Sequence, residues 1–185
     1  MNDTASADPP GRREMILAAA ISLLGERGFH AVGIDEIGAA AGISGPGVYR
    51  HFPNKIAVLV AVAERVSDLL LAGAREIVAE AADDAAALHG LVGFHAAFAV
   101  GDRALLGAYL HEERNMPDPE RGRIRRTQRR FVQEWVDVLL RLRPDLGEVE
   151  ALTAVQAAIG LLNSLLFFES GLEDDELAGF LAARA

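Results

Sequence analysis

Apolar positions recur along this chain with helical spacing, and no stretch alternates with period two. Ile16, Leu17, Ala20, Leu23 and Leu24 form one stripe and predict a helix over 12–27, with Gly28 as a left-handed C-cap. Ile34, Ile37 and Ala41 then predict a second helix over 34–41, which Gly42 breaks before Val48, Tyr49 and Phe52 resume the pattern. Ser44 or Gly45 caps this third helix, and Pro46 sits at its first position, where a missing N–H costs nothing. Pro53-Asn54 ends it, and Asn54 caps the next.

That fourth helix, predicted over 55–81, is apolar at Ile56, Leu59, Val60, Ala63, Val66, Leu70, Ala74, Ile77 and Val78. It is too long for a three-helix unit alone and reads as the connection from a small N-terminal domain to a larger body. Asp83 and Asp84 cap a fifth helix to residue 100, and Asp102 caps a sixth through residue 114. A loop over 115–119 precedes a seventh helix over 120–143. An eighth follows over 148–170, capped by Gly171, and a ninth over 174–184. The expected fold is all-α with about nine helices. Its parts are an arm over 1–11 read as disordered, a three-helix helix-turn-helix domain over 12–54, and a ligand-binding and dimerisation domain over 55–185.

Composition fits: 51% of residues are hydrophobic, enough for a substantial core. Absence of cysteine excludes disulfides and thiolate chemistry. The polar, proline-bearing N-terminus is not a signal peptide, and charge-free apolar runs such as 56–63 fall far short of the roughly 20 residues of a membrane span. A soluble, cytoplasmic chain with no membrane partner is therefore expected. The net charge of −9 argues against a uniformly basic nucleic-acid binder. Through Arg65, however, six basic residues stand against seven acidic ones, so the acidity belongs to the body. A local basic face has to do any steering of DNA.

A short helix, a glycine turn and a second short helix form the helix-turn-helix pattern, whose second helix enters the major groove. The set Ile16-Leu17-x-Ala19-Ala20, Gly28-Phe29, Ile34-x-x-Ile37, Ala41-Gly42-Ile43-Ser44, Val48-Tyr49-x-x-Phe52 and Lys55 resembles the N-terminal domain of TetR-family transcriptional repressors. The resemblance covers about residues 12–60, and beyond them extends only to architecture. It implies an all-α homodimer on a pseudo-palindromic operator in double-stranded DNA, released by a small-molecule effector in the body. Carried over by position, it implies DNA contacts at Ser44, Gly45, Gly47, Tyr49, Arg50, His51 and Lys55. Tyr49 and Lys55 then meet phosphate, and Arg50 reads a guanine edge or holds phosphate. Arg12 and Arg13 reach backbone or minor groove. The sequence departs from the family where Val32 and Gly33 replace a Thr or Ser cap, and where Gly38 replaces an Ala.

In the body, Phe94, His95, Phe98, Tyr109, Arg114, Trp135, Asn163 and Phe167 are the candidate ligand-binding residues, a mainly apolar set with few polar groups. The arginines between Arg121 and Arg130 form either a solvated face neutralised by Glu112, Glu113, Asp118 and Glu120, or an anion site for the phosphates of an acyl-coenzyme A. Leu152, Val155, Ile159, Leu162 and Leu166 are the candidate dimer interface. No HExxH or i, i+4 pairing of metal ligands and no Ser/His/Asp set stands out, so neither metal, cofactor nor catalysis is expected. GISGPG lacks the order of a phosphate-binding loop and a preceding strand. The alternative is a helical ligand-binding protein or enzyme whose N-terminal hairpin is structural.

Overall fold

A computed structural model describes residues 11–167 and 170–184. The expected N-terminal arm lies outside them except for Gly11. Nine α-helices run through the described residues, and no strand occurs among them. They are α1 (Arg12–Arg27), α2 (Ile34–Ala40), α3 (Gly45–Tyr49), α4 (Lys55–Glu80), α5 (Asp84–Gly101), α6 (Arg103–Glu112), α7 (Asp118–Leu142), α8 (Glu148–Asn163) and α9 (Asp174–Ala182). Single 3-10 turns follow α6 (Glu113–Asn115) and α8 (Ser164–Leu166).

Caps explain most boundaries. Asn54 Oδ1 accepts the Ala57 N–H at 2.8 Å to start α4, and Asp83 Oδ1 accepts the Ala86 N–H at 2.8 Å to start α5. Asp102 makes no such bond, contrary to expectation, and α6 starts without a side-chain cap. The body's predicted loop is also shorter than expected, because Asp118 and Pro119 already belong to the first turn of α7. The eighth helix ends at Asn163, well before Ser170, because its backbone tightens into the 3-10 turn.

α4 is the spine. It packs on α1 at its N-terminal end and on α5, α6 and α7 in the body, burying Val58, Leu59, Val62, Ala63, Val66 and Ala74. Each fully buried Val or Leu contributes about 1.5–3 kcal/mol. Two glycines permit close helix crossings. A Cβ on Gly25 would lie 2.5 Å from Ala104 O, so α1 runs hard against α6. A Cβ on Gly73 would lie 2.4 Å from the Phe94 ring, which holds α5 on α4.

α8 corrects the reading of the apolar runs. With its 3-10 extension it spans Glu148–Leu166, which by length and composition is enough to cross a membrane. Glu148 and Glu150 at its start and polar Thr153, Gln156, Asn163 and Ser164 further on interrupt this segment, so no uninterrupted apolar run marks it.

Candidate functional site

The N-terminal unit is built on a small core of Ile16, Leu17, Ala20, Ile37, Val48 and Phe52, all buried. A five-residue helix cannot stand alone, so α3 depends on this packing. Gly42, at φ +69°, turns the chain from α2 to α3 in a conformation that costs other residues about 1–2 kcal/mol. Gly38 lets the turn press on α2, since a Cβ there would lie 3.0 Å from Ile43 O. Ser44 Oγ accepts the Gly47 N–H at 3.3 Å and caps α3.

α2 has a substitute for the missing Thr or Ser. The Glu36 carboxylate takes the Gly33 N–H at 2.7 Å and pairs with Arg27 at 2.8 Å. The backbone bond, then Arg27, holds its carboxyl below the ordinary glutamate value. The outer side of α3 and its continuation presents Tyr49, Arg50 and His51, with Tyr49 54% exposed. Arg12 and Arg13 are exposed nearby, the Arg13 guanidinium lying 5.0 Å over the Phe52 ring.

The α1–α2 connection is held from two sides. Lys55 Nζ donates to Phe29 O at 2.7 Å and to Val32 O at 2.8 Å, and lies 4.2 Å over the Phe29 ring. From the body, Glu112 at the end of α6 accepts the Phe29 N–H at 2.8 Å and the Asn115 amide at 2.5 Å. Asn115 Oδ1 in turn stands 3.2 Å from His30 Nε2. Glu112 is buried, an uncommon place for a carboxylate unless its oxygens are satisfied. Gly28, at φ +77° and ψ 165°, has positive φ without being left-handed helical, and brings the Phe29 amide to Glu112.

A cavity of about 610 Å³ opens between α5, α6, α7 and α8. Leu70, Leu106, Leu110, Phe131, Val132 and Ile159 give it apolar walls. His95, Tyr109, Gln128, Gln156 and Asn163 supply neutral polar groups, and Arg125 and Arg129 supply cations. Among the described residues no carboxylate lines it. Burial pushes the His95 pKa down and the Tyr109 phenol up to about 12, so both are uncharged near neutrality. Arg125 and Leu110 also border a second groove of about 470 Å³ that holds Arg114, Arg121 and Glu113. Arg125 pairs with Glu113 at 2.5 Å, Arg121 with Asp118, and Arg123 with Glu64 at 3.2 Å. Arg126, Arg129 and Arg130 make no ion pair among the described residues.

Residues 16–62 match the model for bacterial regulatory proteins of the tetR family. Over those residues the chain is similar to that family. One relative is the HTH-type transcriptional activator FasR of Mycolicibacterium smegmatis (strain ATCC 700084 / mc(2)155), 40% identical over 73 residues. That match takes in 40% of this chain and 33% of FasR, so it spans about a third of the relative's length. A TetR-family transcriptional regulator from Bordetella parapertussis 12822 superimposes with a TM-score of 0.83 at 21% identity, over 94% of this chain and 93% of the other. AibR, solved in complex with isovaleryl coenzyme A and operator DNA, superimposes with a TM-score of 0.80 at 20% identity, over 94% and 97%. These superpositions show that the body shares the fold of those proteins. FasR and a second relative, the HTH-type transcriptional repressor KstR2 of Rhodococcus jostii (strain RHA1), are both transcriptional regulators.

The structure redistributes the residues named from sequence. Of the eight candidate ligand residues, His95, Tyr109 and Asn163 line the cavity. Arg114 lies in the adjoining groove, Phe94 and Phe98 pack between helices, Trp135 is buried behind the cavity wall, and Phe167 is exposed. Of the candidate interface residues, Val155 and Leu162 are buried in the chain's own core. Leu152 and Ile159 line the cavity, and Leu166 is partly buried against the core. Gly45 is buried beneath Asp35, whose Oδ1 would lie 1.8 Å from a Cβ there, and so offers no surface. Lys55 spends two of its donors on backbone carbonyls. Glu112 faces the α1–α2 connection and neutralises no arginine in the α7 cluster. The cavity's Gln128, Val132 and Gln156 went unnamed, although the i, i+4 spacing of Gln128 and Val132, like that of Arg125 and Arg129, marks one face of α7.

Proposed function

We propose that this chain is a ligand-responsive transcriptional regulator, a repressor that leaves its operator when an apolar, acid-bearing effector fills the cavity. The observation that carries the reading is the exposed Tyr49-Arg50-His51 face of α3, set on a domain that the body grips through Glu112 and α4. Apolar walls with a few neutral polar groups and Arg129, which makes no ion pair among the described residues, favour an anionic amphiphile, and the arginine groove beside the cavity suits the phosphates of an acyl-coenzyme A. The isovaleryl coenzyme A held by AibR supports that class. Effector binding shifts α6 and α7, and the change reaches α3 through α4 and through the Glu112 contact. A ligand acts in this way only by its differential affinity for the two arrangements.

The working form is a homodimer. α8 is apolar but faces outward through Val149, Ala154, Ala157 and Gly160, and α9 adds Phe180. A second copy across this face builds a four-helix contact and places two recognition helices on half-sites about 34–36 Å apart. DNA from the chain's own upstream region, followed by fluorescence anisotropy, tests the function. Binding is expected to be specific and to weaken steeply with salt. Tyr49→Ala weakens binding to every site, whereas Arg50→Ala also relaxes preference at one base pair. Failure to enrich any sequence from a random-site selection refutes the DNA reading, and a monomer in sedimentation at micromolar concentration refutes the dimer.

A further inference from the structure

The inner wall of the cavity holds hydrogen-bonding capacity that the protein leaves unspent. His95 Nε2 lies 2.8 Å from Asn163 Oδ1. The other ring nitrogen, Nδ1, is buried and has no partner. The imidazole is fixed in place, stacked on Phe131 at 5.7 Å and met edge-on by Trp135 at 6.2 Å. It is neutral, because burial pulls its pKa down, so it carries a single proton between its two nitrogens. The Asn163 amide group has no further partner among the described residues, and both residues line the cavity. Buried polar groups are ordinarily paired, so a polar pair of this kind in a ligand cavity marks where a ligand atom belongs.

We propose that His95 and Asn163 form a recognition subsite for a hydroxyl group on the effector, so that the cavity selects an oxygenated acyl chain over a plain hydrocarbon one. This deepens, and rests on, the reading of the cavity as the effector site. Asn163 Oδ1 only accepts, so Nε2 carries the imidazole proton and Nδ1 is left as an acceptor; a hydroxyl can donate to Nδ1 and accept from the Asn163 amide N–H. Charged groups do not suit this wall, since the nearest cations are Arg125 and Arg129 on α7 and no carboxylate faces it. The acid end therefore lies by the arginines and the hydroxyl by His95.

The single tryptophan of the chain, Trp135, touches His95 and reports occupation of this wall by its fluorescence. The full chain is titrated with dodecanoic acid and with its β-hydroxy and ω-hydroxy derivatives, by Trp135 emission and by calorimetry. One hydroxy acid is expected to bind roughly five- to tenfold more tightly than dodecanoic acid, the gain from about one hydrogen bond. His95→Phe and Asn163→Leu each abolish that preference, whatever their effect on the affinity for dodecanoic acid itself, and circular dichroism checks that each variant folds. If His95→Phe does not fold, Asn163→Leu, which sits in a less buried position, decides alone. Equal binding of all three acids by the wild type overturns the subsite and leaves the cavity reading standing. A hydroxy-acid preference that survives in the folded variants overturns it as well. Absence of binding by every acid overturns the subsite and the cavity reading together.

Discussion

Replacing Glu112 by alanine tests whether the body holds the N-terminal helix-turn-helix unit through one buried carboxylate. The wild-type carboxylate accepts two hydrogen bonds, from the Phe29 N–H at 2.8 Å and the Asn115 amide at 2.5 Å. Without it the buried Phe29 N–H loses its acceptor, and the Asn115–His30 contact loses its support. An orphaned buried donor together with lost bonds to a charged acceptor costs about 2–4 kcal/mol. In a chain of this length that lowers the melting temperature by roughly 5–15 °C. Glu112→Gln keeps an acceptor for Phe29 and should lose less. Circular dichroism melts measure the stability, and operator anisotropy with and without effector measures the coupling. Folded Glu112→Ala protein is expected to keep DNA binding but respond less to effector, because α6 no longer holds the α1–α2 connection. A melting temperature within about 1 °C of wild type would mean that the desolvation cost of the carboxylate cancels its bonds, and the reasoning fails.

Three further substitutions probe neighbouring parts of the same machinery. Gly25→Ala puts a Cβ 2.5 Å from Ala104 O and 2.7 Å from Ala104 Cα, both backbone atoms, so α1 must lift from α6; a loss of about 1–3 kcal/mol is expected in urea unfolding. Lys55→Met removes two bonds to the carbonyls of Phe29 and Val32, so the melting temperature should fall along with DNA affinity; a loss of affinity at unchanged stability would make Lys55 a DNA contact alone. Glu36 has a depressed folded-state pKa, caused first by the Gly33 N–H and then by Arg27. Its stabilisation is therefore complete above the ordinary glutamate value and disappears as pH falls through the folded value. Glu36→Gln should melt lower than wild type at neutral pH and converge with it on acidification, and a constant gap would contradict this.

The N-terminal helix-turn-helix unit was legible because its constraints are local. Gly42 must take positive φ, Ser44 must cap, and Val48 and Phe52 must reach back to Ile16 and Ile37, so spacing alone identifies the unit. What stayed hidden even there depends on neighbours distant in sequence. Lys55 could not be recognised as a clamp without the carbonyls of Phe29 and Val32, nor Glu112 as a latch without an amide 83 residues away. Gly38 departs from the family, yet it lets the turn approach α2 to 3.0 Å, a closeness that an alanine Cβ would crowd.

In the body the same physics gives a poorer reading, because hydrophobicity states that a side chain is buried but not where. Trp135 and Phe98 are aromatic, as pocket residues often are, yet helix packing uses them up. α8 makes the point most sharply. Its apolar content exceeds what one buried face requires: Ala151, Val155 and Leu162 enter the chain's own core, Leu152 and Ile159 border the cavity, and Val149, Ala154 and Ala157 face outward. A helix with apolar residues in the core, at the cavity and on the outside cannot be sorted by one periodic stripe. If the outward side meets a second copy, Val149→Glu and Ala157→Glu should shift the chain toward monomer in sedimentation without emptying the cavity. A dimer that tolerates both charges would place the contact elsewhere on the body.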